Sequence, residues 1–284
     1  MTSLTIDNAG VALHAERDGQ PGAPAVLLLH GITNSVDSWA WIVPHLDTDF
    51  EVFRLDFRGH GLSARAQGTY QFASYLSDAV AVCEQAIQRP CVVIGHSLGG
   101  ATAASLAQAR PDLTRAVILE DAPLGTGDAT KGNSLRTAFA TMRQSIPRLQ
   151  ERGITVDALA QRLAAAPSPT GPLFADLLLP DGLTAMATAL LEMDASVLDP
   201  VLDGTNQPRF DPERPIPVPT LVLAADPVNP NAVVRPHDIE TLHRVSPSAE
   251  VVVVSGAGHL IHDERANRPV LLAHVKRFLG ALPG

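Results

Sequence analysis

The chain has 284 residues, 45% of them hydrophobic and 18% charged, with a formal net charge of −9. That apolar content argues against disorder, and the length suits one large domain or a core domain carrying an insertion. The acidic balance, with no run of Lys and Arg, argues against nucleic acid or an anionic membrane surface as partner, leaving a small molecule.

Residues 1–10 show neither a basic start nor an apolar signal core, and no apolar stretch approaches the ~18 residues that span a bilayer. Cys83 and Cys91 form no C-x-x-C pair and are expected as reduced core residues. A cytoplasmic enzyme is the expectation.

In chain order, residues 3–7 and 11–16 alternate in polarity and predict an antiparallel edge hairpin. Residues 25–29 are continuously apolar, the pattern of a strand buried on both faces of a parallel sheet. His30-Gly31-Ile32 follows, where the glycine permits a sharp turn that offers the Ile32 N–H as a donor; His30 itself reads as a structural hydrogen-bonder. Trp39 and Trp41 come next, to shape a pocket floor or anchor a helix. After a strand at 52–55, Asp56-Phe57-Arg58-Gly59-His60-Gly61 reads as a tight loop braced by its charged residues. It lacks the Gly-Lys-Ser/Thr ending of a phosphate loop. Phe72, Leu76, Ala79, Val80, Cys83 and Ile87 recur at helical spacing.

A strand at 91–94 then runs into Gly95-His96-Ser97-Leu98-Gly99-Gly100 and an alanine-rich helix. This is the strand-turn-helix context in which G-x-S-x-G forms a nucleophile elbow, with small neighbours around a strained serine. Ser97 is the expected nucleophile, and the Leu98 N–H at the helix start would hold an oxyanion together with that of Ile32. Another strand, 116–119, ends in Glu120-Asp121.

From about residue 124 to 215 the alternation of strand and helix stops. Leu135, Ala138, Phe139, Met142, Ile146 and Leu149 form one stripe, which Pro147 should interrupt. Thr155 should cap a second helix through Leu163 that Pro167 ends, with a short third over 172–179. Leu183, Met186, Ala187, Leu190, Val197 and Leu198 predict one longer fourth helix. Pro208, Pro212, Pro215, Pro217 and Pro219 then make a stiff return. This block reads as a helical cap, residues 124–215, inserted into a core formed by 1–123 and 216–284. Phe139, Met142, Leu177, Met186, Leu190 and Met193 are candidates to line its pocket, where Trp39 could join them.

Strands at 220–224 and 250–254 complete an α/β, doubly wound sheet. A serine nucleophile needs a base and an acid that orients it. His259, after Gly256-Ala257-Gly258 on a loop beyond the last strand, is the expected base; His262 is assigned to the next turn. Asp226, at the end of the 220–224 strand, is the preferred acid and Asp121 the alternative. Ten histidines show neither H-E-x-x-H nor Cys/His ligand spacing, so neither a metal nor any other cofactor is expected.

His30-Gly31, Asp56-x-Arg-Gly-His-Gly61, Gly95-His-Ser-Leu-Gly-Gly100, Asp226 before Pro227, and Gly258-His259 stand in an order and rough spacing that resembles the α/β-hydrolase superfamily over nearly the whole chain. The resemblance implies an eight-stranded, mostly parallel α/β-hydrolase sheet with an inserted helical cap after the sixth strand. The run Leu223-Ala224-Ala225-Asp226 is shorter than the family's usual approach to its acid, which often carries a glycine. Serine at 97 sets the chain apart from the haloalkane dehalogenase and epoxide hydrolase branches, which use aspartate there. The expected chemistry is hydrolysis of a carboxylic ester or lactone through an acyl-enzyme on Ser97. The alternatives are carbon–carbon bond hydrolysis of a diketone-type substrate and a ligand receptor with little turnover. The motifs do not specify an oligomeric state.

Overall fold

The structure, a computed structural model, describes residues 1–125, 134–168, 170–206 and 210–283. Eight strands form one sheet: β1 (Thr2–Asn8), β2 (Val11–Gly19), β3 (Ala25–Leu29), β4 (Glu51–Leu55), β5 (Cys91–His96), β6 (Thr114–Glu120), β7 (Thr220–Ala224) and β8 (Glu250–Val253). Their order is β1-β2-β4-β3-β5-β6-β7-β8. β1 pairs antiparallel with β2, and β2 with β4, while every later pairing is parallel. The alternating edge hairpin and the continuously apolar central strands are therefore both present.

Strand β3 shows why its run is continuous. Ala25, Leu27 and Leu29 enter one buried cluster, and Val26 and Leu28 enter the cluster on the opposite face. A strand clad on both sides has no solvent face to mark with polar residues. Helix α1 (Phe72–Val82), extended by a π turn over Cys83–Ile87, and helix α2 (Leu98–Ala109) pack with the first cluster. Cys83 and Cys91 are free thiols buried there.

Between β6 and β7 the chain forms α3 (Leu135–Glu151), α4 (Val156–Ala164), α5 (Phe174–Leu177), α6 (Pro180–Glu192) and α7 (Asp199–Leu202). Thr155 caps α4 as expected, its side chain accepting the Ala158 N–H at 3.2 Å. Two expectations need correction. Helix α3 runs through Pro147 without ending. Proline removes one donor near the last turns, and the Arg143 carbonyl it cannot serve lies on a half-buried stretch. The long helix predicted from Leu183 to Leu198 stops at Glu192, and a 3₁₀ turn over Ala195–Leu198 follows. Asp194 makes the break by turning its carboxylate to the Ser196 N–H at 2.9 Å. Pro208 lies outside the described residues; the rest of the proline-rich return is irregular and is held to α2 by Gln108, whose amide nitrogen reaches the carbonyls of Asp211 and Arg214. Helices α8 (Pro236–Val245) and α9 (Arg268–Ala281) complete the fold. Among the described residues no helix is long and apolar enough to cross a membrane.

Candidate functional site

The strand order reverses between β3 and β5, which opens a crevice at their carboxyl ends, the usual position of ligands in open α/β sheets. Ser97 sits there, between β5 and α2, at φ 52° and ψ −113°. This conformation costs a residue with a β-carbon on the order of 1–3 kcal/mol and persists only where its surroundings enforce it. The surroundings here are glycines. A Cβ on Gly95 would lie 2.3 Å from the Gly99 backbone, and one on Gly99 would lie 2.2 Å from the Leu29 carbonyl oxygen. The Ser97 N–H donates to the Glu120 carbonyl at 2.9 Å, which locks the elbow onto β6. Leu98 opens α2, so its N–H is one of the first-turn donors that the helix itself leaves unused.

One cavity of about 150 Å³ is lined by Ser97, His259, Gly31 and Ile32. The Ile32 carbonyl is fixed at 2.7 Å from His60 Nε2. His259 is nearly buried, and its Nδ1 lies 2.7 Å from Asp121 Oδ2. A carboxylate only accepts, so Nδ1 carries the proton and Nε2 is left as the basic nitrogen. Asp121, fully buried at φ 36°, also accepts N–H groups from Ala225 at 3.2 Å, Val233 at 3.0 Å and Val234 at 3.1 Å. Four donors from three segments thus converge on one carboxylate at the end of β6.

Asp226, the preferred acid from sequence, is not the histidine's partner. Its Oδ2 accepts the Gly256 N–H at 2.8 Å and its Oδ1 accepts the Val228 N–H at 3.2 Å. Those hydrogen bonds hold its carboxyl below the usual range, and they brace the glycine loop that leads to His259. The contact to Val228 is a local Asx turn, the ordinary use of Asp before Pro.

Of the predicted lining residues, Phe139, Met142, Leu177 and Met186 face the cavity. Leu190 and Met193 are buried in the core instead, and Trp39 stacks on His262 with ring centroids 5.0 Å apart. Each is fully used in packing. Leu163 and Phe174, which no sequence motif marks, carry the apolar lining onto α4 and α5, and the polar residues Ser168, Asn229, Asn231 and Glu264, equally unmarked, also line the cavity. Glu264 accepts the Gly258 N–H at 2.7 Å, next to His259, and burial pushes its carboxyl up. The segment around it pairs with the inserted helices: Arg265 N–H donates to Leu177 O at 2.8 Å, and Leu179 N–H donates to Asp263 O at 2.9 Å. The wall of inserted helices and the histidine loop are therefore joined by backbone hydrogen bonds.

Among the described residues, His96, Glu120 and His262 place one possible metal-ligand atom each within 4.8 Å of one another. All three side chains are already engaged, since His262 bonds Glu120 and His96 Nε2 bonds the His259 carbonyl. The cluster draws on three separate elements, so no local ligand spacing marks it in the sequence.

A sequence model of the family described as alpha/beta hydrolase fold matches residues 24–266. The sn-1-specific diacylglycerol lipase ABHD11 of Mus musculus is 28% identical over 257 residues, covering 87% of this chain and 79% of its own. Lipase LipV of Mycobacterium tuberculosis (strain ATCC 25618 / H37Rv) is 31% identical over 176 residues, 62% of this chain and 64% of its own. Among solved structures, E-2-(acetamidomethylene)succinate hydrolase superposes with a TM-score of 0.76 at 20% identity, covering 99% of both chains. The enol-lactonase from Burkholderia xenovorans LB400 gives 0.73 at 20% identity, over 98% of this chain and 100% of that one. The sheet order, the serine elbow and the extent of the family match agree: the chain belongs to the alpha/beta hydrolase fold family.

Proposed function

We propose that this protein hydrolyses carboxylic esters, lactones included, through an acyl-enzyme on Ser97. The observation that carries the reading is the buried Asp121–His259 pair opening onto the same cavity as a serine held in an elbow. His259 Nε2 takes the Ser97 proton as the hydroxyl attacks the ester carbonyl. The N–H groups of Leu98 and Ile32 hold the oxyanion, a stabilisation of several kcal/mol when donors are preorganised. The alcohol leaves with the proton from His259. Water activated by the same imidazole then releases the acid and restores Ser97. Asp121 keeps the imidazole in the required tautomer throughout.

The cavity supports a finer reading. Its volume of about 150 Å³ matches an apolar cavity that accommodates a six-carbon ring. Phe139, Met142, Leu163, Phe174, Leu177 and Met186 supply its apolar wall. Glu264 also lines it, and among the described lining residues there is no Lys or Arg. A short, uncharged acyl group fits this lining better than a long chain or a dicarboxylate. The relatives named as lipases favour ester chemistry without setting the chain length.

The test is acid release, followed by pH-stat, across alkyl esters, aryl esters and lactones, with Ser97→Ala as the blank. Fast release that vanishes in the variant is expected, strongest for short neutral acyl groups. Release that survives in Ser97→Ala, or none from any ester or lactone, overturns the reading. In the second case, carbon–carbon hydrolysis or ligand binding with little turnover takes its place.

A further inference from the structure

Ser97, Asp121 and His259 each have a close chain neighbour in a wholly buried cluster, one member of which, His96, also borders the cavity. His96 precedes Ser97, Glu120 precedes Asp121, and His262 follows His259 by one short turn. His262, Glu120 and His96 are 0%, 1% and 2% exposed. His262 places Nδ1 at 2.8 Å from Glu120 Oε1 and 3.0 Å from Oε2, and its main-chain N–H donates to Oε1 at 2.9 Å. His96 Nε2–H donates to the His259 carbonyl at 2.9 Å, and its ring lies 4.6 Å from that of His259 and 4.8 Å from that of His262. Strand β6 therefore grips the histidine loop twice. Asp121 holds the His259 side chain, and Glu120 holds both the main chain and the side chain of His262.

The charges follow from the neighbours. Burial opposes a charged His262, but Glu120 and Asp263 outweigh it and its pKa is pushed up to about 9. Arg268, on α9, donates to the His262 carbonyl at 2.5 Å and pairs with Asp181 on α6, adding a smaller opposing charge. His96 goes the other way: burial, with His259 and His262 beside it, holds its pKa well below the usual range. It stays neutral, with its one proton on the nitrogen facing the His259 carbonyl.

We propose that Glu120 and His262 form a buried ion pair that positions His259 for the reaction, with His96 as the strut between the pair and the histidine backbone. The proposal rests on the role given to His259 above. The need for such a device is geometric: Gly256 and Gly258 give the approach to His259 no side chain to pack, and an error of about 1 Å at a reacting group can cost about 100-fold in rate. Neither Glu120 nor His262 lines the cavity, so both act through His259 and neither touches substrate.

Glu120→Gln tests this, because it keeps the shape and an acceptor for the His262 N–H while removing the charge. With p-nitrophenyl acetate we expect kcat to fall by about 10- to 100-fold and KM to stay within about 3-fold. Labelling of Ser97 by a fluorophosphonate should slow in proportion in protein that circular dichroism shows to be folded. In the unaltered protein, imidazole NMR should show His262 protonated until the pH approaches about 9. Wild-type kcat and labelling in Glu120→Gln, or a loss confined to KM, would overturn the positioning role. A His262 that titrates near the ordinary imidazole value would overturn the ion pair even if the variant failed to fold. If the unaltered protein neither hydrolyses esters nor labels at Ser97, the reaction and the positioning role fall together, and the NMR titration still judges the pair.

Discussion

Ser97 is held at φ 52°, where its β-carbon is a liability, and a reactive hydroxyl at the head of a helix is what the strain secures. Ser97→Gly should therefore be more stable than Ser97→Ala by about 1 kcal/mol, both inactive, as urea unfolding would read. Equal stabilities would mean that the elbow is not under strain. Much of this point was legible: small residues around a serine after an apolar strand describe the turn directly. The acid was not. Asp121 and Asp226 end adjacent strands, and nothing local says which carboxylate turns towards the histidine. The difference lies in tertiary contacts, the four donors that converge on Asp121, with one local hint in the Asp226-Pro227 turn signature.

At the scale of elements, Tyr70 ties the inserted helices to the core. Its hydroxyl donates to Asp194 Oδ2 at 2.9 Å and accepts the Ala66 N–H at 3.0 Å, while the Asp194 N–H donates to Gly59 O at 2.8 Å. Burial and the adjacent carboxylate push the phenol pKa up, so it remains a donor at any ordinary pH. Tyr70→Phe should cost about 1–3 kcal/mol, measured by denaturant midpoint, because it leaves a carboxylate short of a donor. An unchanged midpoint would show that water replaces the bond without loss. Asp194 also explains why the long predicted helix is two pieces. Leu190, Val197 and Leu198 keep helical spacing because both pieces face the same core, so periodicity alone hides the break. An Asp two residues before Ser196 was the available signal. The strands were easier to read, since burial on both faces leaves a continuous apolar run that few other contexts demand.

At the scale of the whole molecule, the sheet's switch point, the inserted helices and the histidine loop line the largely apolar cavity of about 150 Å³. With p-nitrophenyl esters, kcat/KM should peak at about four to six acyl carbons and fall by at least about 10-fold by twelve. A profile that keeps rising to twelve would show that the wall opens for long chains. The buried His262 also links stability to pH. Its proton is held more tightly in the folded chain than in the unfolded one, so its stabilisation is complete below about pH 6.5 and fades as pH rises through about 9. The Tm advantage of the unaltered protein over Glu120→Gln should accordingly shrink from about pH 7 to about pH 9.5. A constant gap would contradict the linkage.

The central claim is that Asp121, not Asp226, orients His259 behind Ser97. The direct measurement is kcat for Asp121→Asn beside Asp226→Asn on the best ester. Asn at 121 should lower kcat by about 10³- to 10⁴-fold, because the amide favours the wrong imidazole tautomer, while Asn at 226 should stay within about 3-fold of the unaltered protein. A large loss at 226 with little change at 121 would contradict the account.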